Sequence, residues 1–194
     1  ILKKVEGDVH SVDNWSKTIW DKEKYTPLPV TKAQANLYYE QLSDLANMPQ
    51  ASYNQLVRNV KILDERGYKL DSINPNNLIV DKEKSQIHII DSFKVKPHER
   101  DIYKNCYMDL VAIMLDFTLF PEFFDKMDDK KKVSTLYNVK LIQEKVYKAA
   151  QNSDLSLDVE RFKTFIKATS RWFPAHSVPN ENNGGIYFRY YDVR

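Results

Sequence analysis

The sequence predicts a mainly α-helical domain that carries one small β-hairpin. Two observations predict it. Apolar residues recur at helical spacing along most of the 194 positions. They give way once, to two short apolar runs, Leu78-Ile79-Val80 and Ile87-His88-Ile89-Ile90, on either side of a charged turn, and such a pair reads as a hairpin. With 42% hydrophobic and 12% aromatic residues, the chain has enough apolar surface for a core of its own.

Each element follows from local sequence. Residues 8–30 are irregular, and Trp15 and Trp20 are expected to pack on the helix that follows. Thr31 suits the cap of a helix running to about Asn47, with Leu37, Leu42 and Leu45 on one face. Met48-Pro49 ends it. A second helix over residues 51–66 carries Leu56, Val57, Val60 and Leu63 at helical spacing, and Gly67 stops it. Residues 72–77 form a turn-rich loop in which Pro75 fixes one dihedral. After the hairpin comes a basic stretch with Lys94, Lys96, His98, Arg100 and Lys104. It reads either as a solvated loop or as a surface for phosphate or an acidic partner.

A central helix is expected from about Tyr103 to Phe120, broken by Pro121. Residues 128–132 form a charged turn. A helix over 133–150 carries Leu136, Val139, Ile142 and Val146, and another over 154–172 carries Leu155, Leu157, Phe162, Phe165 and Ile166. Residues 1–180 thus make one lobe, with 31–180 helical around the hairpin 78–90. A polar linker leads to the tail 181–194, which is aromatic and strand-like. That tail docks on its own domain or pairs with a partner as an added strand.

Composition excludes several function classes. The 29 basic and 27 acidic residues nearly balance, so no global charge favours nucleic acid. No apolar run reaches the roughly 18 residues of a membrane span. The single Cys106 makes no internal disulfide and reads as buried packing, compatible with a reducing intracellular environment. The opening residues do not read as a signal peptide, which truncation could have removed. His10, His88, His98 and His176 are scattered and read as structural or surface residues.

A hairpin brings its open ends together, so Asn77 and Asp91 are predicted neighbours. An Asn carbonyl beside an Asp carboxylate suits a hard cation such as Mg²⁺. The same two residues also read as ordinary hairpin ends.

The stretch LDERGYKLDSINPNNLIVDKEKSQIHIIDSF, residues 63–93, resembles the large lobe (C-lobe) of the protein-kinase superfamily. There the pattern H-x-D-x-x-x-x-N-hydrophobic-hydrophobic leads to D-F-G. The resemblance implies that Asn77 and Asp91 hold Mg²⁺ and with it ATP. Pro75 falls on the Pro often found in the loop. Ile1-Leu2-Lys3-Lys4-Val5-Glu6-Gly7 looks like the last strand of the small lobe entering the hinge, with Val5 at the nucleotide. Tyr107 to Leu115 looks like the central helix of the large lobe, whose Asp, matched by Asp109, braces the catalytic loop. The implied fold is a kinase-like C-lobe lacking most of the N-lobe.

The departures from the pattern are specific. With Asn77 aligned, the general base falls on Ser72 and the motif His on Leu70; Asp71 sits one residue early. Asp71 serves as base only in a distorted loop, or if Asn76 replaces Asn77 as ligand, a register that misplaces Pro75. The D-F-G motif reads Asp91-Ser92-Phe93, no A-P-E follows, and none of the glycines forms G-x-G-x-x-G. The opening at Ile1 rather than Met predicts a fragment or a processed product. The layout is similar to reduced kinases that bacterial pathogens inject into host cells, which implies an effector-type protein, delivered to the host cytosol, with a host protein as partner. Three expectations follow: a degenerate kinase-like module that works by binding protein, the C-lobe of an active atypical Ser/Thr kinase completed by an N-lobe, or an unrelated helical interaction domain.

Overall fold

The computed structural model of the chain describes residues 5–10, 20–21, 26–27, 29–72, 75–116, 120–162 and 164. Trp15, Phe165, Ile166, His176 and the aromatic tail lie outside the described residues. The described part is mainly helical with small antiparallel sheets, as the sequence predicts.

Three long helices form the core. Helix α1 spans Lys32–Asn47 and starts where Thr31 closes a capping box: its Oγ1 accepts the Gln34 N–H at 3.2 Å, and Gln34 Oε1 accepts the Thr31 N–H at 2.8 Å. Helix α2 spans Gln50–Glu65 after Pro49. Helix α5 spans Asp129–Asn152 and packs against both. It begins earlier than the apolar spacing predicts because Asp128 caps it, accepting the Lys131 N–H at 2.9 Å. Leu42, Leu45, Leu56, Val57, Val60, Val139, Ile142 and Val146 meet in the interior, each nearly inaccessible to water. Leu37 does not share that face: it is 40% exposed, and Ala35 and Tyr38 take the buried positions instead. Leu157 is also exposed, ahead of a helical turn at residues 159–162.

The central helix is shorter than expected. Helix α3 covers Tyr107–Leu115 only. Asp109 at its third position accepts the Cys106 N–H at 2.6 Å and fixes the start. Asp116 adopts a left-handed conformation (φ 44°) and ends it. Pro121 then falls in the first turn of helix α4, Phe120–Asp125, where a missing N–H costs nothing. Every residue of α3 after Tyr107 is buried. Tyr38 ties the α3 end to α1 by donating its hydroxyl to the Leu115 carbonyl at 2.5 Å, and its ring stacks on Phe123 at 4.4 Å.

The β structure is richer than one hairpin. Strands β1 (Asp8–Val9), β2 (Trp20–Asp21) and β3 (Thr26–Pro27) precede the helices, and β2 pairs with β3. Strand β4 (Tyr68–Leu70) follows α2. The predicted hairpin is β5 (Leu78–Asp81) and β6 (Gln86–Ile89), paired Leu78 with Ile89 through Asp81 with Gln86. Strand β7 (Ser92–Lys94) then returns antiparallel to β4. The opening segment forms no strand over Val5 and Glu6, and residues 1–4 lie outside the described residues; the strand there is β1, which pairs with β5.

Gly67 shows why a glycine stands after α2. Its φ is +78°, and a Cβ there would come within 2.8 Å of the Arg100 guanidinium.

His10 locks the opening segment onto the core. Its backbone N–H donates to the Leu78 carbonyl at 2.8 Å, and its buried ring meets the Met114 carbonyl at 2.6 Å through Nε2. A carbonyl only accepts, so Nε2 carries the proton. Burial holds the ring neutral and lowers its pKa from 6.5 to about 4, against the raising effects of that hydrogen bond and of Asp44. The unfolded chain therefore takes up a proton below pH 6.5 that the folded chain refuses until about pH 4. Stability from this residue is complete above pH 6.5 and falls across that window, by about 3 kcal/mol at its lower end. In urea unfolding followed against pH, His10→Gln should flatten this part of the slope; an unchanged slope would contradict the assignment.

Candidate functional site

Two ladders converge on one loop. In the first, the pairing of β5 with β6 is extended by the Ile90 N–H, which donates to the Asn77 carbonyl at 2.9 Å. In the second, Leu70 lies opposite Ser92. Asp91 stands between the two, one residue beyond Ile90 and one before Ser92. Asp71 follows Leu70 directly. Asp71, Asn77 and Asp91 are therefore gathered at the shared end of both ladders. The hydrogen bond from Asn77 Nδ2 to Asp71 Oδ2, at 3.0 Å, joins two of them.

Their settings differ. Asn77 is 6% exposed, in a short 3₁₀ turn of Pro75–Asn77. Asp71 is half-buried and Asp91 is exposed. All three offer oxygen, which suits a hard cation rather than zinc. Among the described residues no three His, Cys, Asp or Glu side chains gather at one point. Asn77 holds its amide nitrogen on Asp71, so its carbonyl oxygen is the atom that can meet a cation.

Val5 is not brought to this cluster. Asp8 pairs with Val80, and Gly7 sits against the Asp81 backbone, so the chain runs off toward Val5 past the turn end of the hairpin. Asn77 and Asp91 lie at the opposite end.

Asp109 meets the loop and β4 through side chains. Its carboxylate is fully buried. Oδ1 accepts the Ser72 hydroxyl at 3.4 Å, and Oδ2 meets Lys69 Nζ at 2.5 Å. Lys69 is itself only 1% exposed and also reaches the Lys104 carbonyl at 3.4 Å. Cys106 lies beside this pair; burial, helped by the Asp109 charge, pushes its thiol well above the usual range, so it is packing rather than a nucleophile.

Two residues that matter here carry no motif. Lys69 reads as a surface lysine until its partner Asp109, far along the chain, is known. Asn105, fully buried, accepts the Leu70 N–H at 2.9 Å and donates to the Tyr68 carbonyl at 2.8 Å, standing in for a neighbouring strand on β4. Its own N–H donates to Asp64 at 2.8 Å. For Lys69 the one available signal is a polar residue between Tyr68 and Leu70; Asn105, between Lys104 and Cys106, carries none.

Removing one partner of a buried ion pair strands the other charge, at a cost of about 3–5 kcal/mol. Lys69→Met and Asp109→Asn should each cost that much in urea unfolding. The double variant should recover part of the loss, and additive losses would show that the pair is not coupled.

No helix of the described residues is long and apolar enough to cross a membrane. No family model, curated protein or solved structure matches this chain.

Proposed function

We propose that this chain is the large lobe of a degenerate kinase-like protein, and that it works by binding another protein rather than by moving phosphate. One observation carries the reading. The kinase pattern puts its general base at Ser72, and Ser72 is fully buried with its hydroxyl on Asp109. A serine hydroxyl held there takes no proton at neutral pH and does not reach an attacking group. The gathering of Asp71, Asn77 and Asp91, with Asp109 beneath them, supports the kinase-like part of the reading. These are the positions to which the resemblance assigns loop, metal and brace.

A second reading has its own support. The bond from Asn77 to Asp71 puts a carboxylate beside the amide assigned to the metal. With an N-lobe supplied, Asp71 would act as base toward a Ser or Thr hydroxyl. Asn77 and Asp91 would hold the Mg²⁺ of Mg²⁺-ATP, which offsets the charge of the transferred phosphoryl group.

Thermal unfolding with millimolar Mg²⁺-ATP, run beside transfer of labelled phosphate to a protein substrate, separates the two. The protein-binding reading predicts no labelled protein, no magnesium-dependent shift, and partner affinity that survives Asp91→Ala. A ligand at a hundredfold excess over its dissociation constant adds about 2.7 kcal/mol. A shift of that order, lost in Asp91→Ala and accompanied by labelling that Asp71→Asn abolishes, would establish phosphoryl transfer instead.

A further inference from the structure

The ladder of β4 and β7 has two outer edges, and one of them is closed. The Val95 N–H donates to the Gly67 carbonyl at 2.9 Å, and Phe93 lies opposite Lys69. By the period of an antiparallel ladder, Phe93 and Val95 turn their backbone groups toward β4, while Ser92 and Lys94 turn theirs outward. The same alternation on β4 sends the groups of Tyr68 and Leu70 to the far edge, where Asn105 meets them. No such residue meets the outer edge of β7: among the described residues neither Ser92 nor Lys94 has a hydrogen bond there.

The side chains along this edge are sorted by face. Ser92, Lys94 and Lys96 point one way along an extended backbone, which persists to Lys96 (φ −63°, ψ 145°). Lys94 and Lys96 are exposed, and neither is in an ion pair among the described residues. Phe93 points the other way and is 44% exposed. A strand laid on this edge would set alternate residues over an aromatic ring and over two cations. A second copy of the chain would bring lysine against lysine, which disfavours it.

We propose that the outer edge of β7 is a docking edge for an extended, acidic segment of a partner protein, which adds to the sheet as a third strand beside Asp91. Main-chain hydrogen bonds to Ser92 and Lys94 would hold it, and alternation of acidic with apolar residues would select it. The inference rests on the protein-binding reading above and names the surface that reading needs.

The test is a fluorescence-anisotropy titration of the whole chain with a labelled peptide of about six residues alternating glutamate and valine, a common strand length. Saturable binding is expected. Methylating the peptide's alternate amide nitrogens removes its edge donors and should weaken binding by about tenfold or more. Lys94→Pro should do the same with an unchanged thermal midpoint, because the ladder does not use that N–H. Lys94→Glu with Lys96→Glu should turn the preference toward an alternating lysine and valine peptide. The methylated peptide reads the same bonds without altering the protein, so a Lys94→Pro chain that fails to fold leaves the test intact. Three results would overturn the proposal: no binding, equal binding of the methylated peptide, or a dimer in sedimentation that Lys94→Pro dissolves. Phosphate labelling is measured separately, so failure at this edge is distinct from failure of the protein-binding reading.

Discussion

The described structure depends on one ion pair that has no access to water. Lys69 comes from β4 and Asp109 from the first turn of α3, and neither is more than 1% exposed. Taking two charges out of water costs several kcal/mol for each ion, and their attraction offsets this only when the remaining polar atoms are also met. Here they are met by the Cys106 N–H, the Ser72 hydroxyl and the Lys104 carbonyl. Those partners come from the helix start, the loop and the segment before the helix. One point thus fixes where α3 begins, how the loop leaves β4, and where residues 104–106 cross β4. Asn105 lies between two of those anchored residues, which sets its amide against the Tyr68 and Leu70 backbone.

The same anchor decides what the loop presents. Ser72 is drawn down to Asp109 as the chain turns out of β4, while Asp71 takes the Asn77 amide. The kinase pattern needs the reverse, with the base at position 72 facing outward. A shift of one residue in sequence therefore exchanges an anchored side chain for a presented one. Both proposed functions start from this exchange.

How much of this was legible in the sequence varied with the range of the interaction. Helix caps at Thr31 and Asp128 and the stop at Gly67 are local, and the sequence carries their signals within a few positions, although Asp128 reads from sequence as part of a turn. The hairpin was legible because its two apolar runs flank a charged turn. The pairing of β4 with β7 was not. Three residues after a glycine show no alternation, and the middle one is a lysine whose burial makes sense only with Asp109. The late start of α3 was hidden for a similar reason: it is set by an Asp that is also a buried counter-ion. Asp71 shows the limit of spacing arguments. Its place beside Asn77 comes from the direction in which the loop is pulled, which no count of residues contains.

The cluster at the mouth and the pair beneath it obey different electrostatics. Asp109 is buried and requires Lys69. Asp91 is exposed, so water screens its charge, whereas Asp71 is half-buried and takes the Asn77 amide. What separates the two proposed readings is position 72, where Ser72 is buried with its hydroxyl on Asp109. The architecture of the loop is held from below by Lys69 and Asp109, whichever side chain the loop presents. The outer edge of β7 is set beside that loop by the same ladder, so the anchor that fixes the loop also fixes the position of that edge.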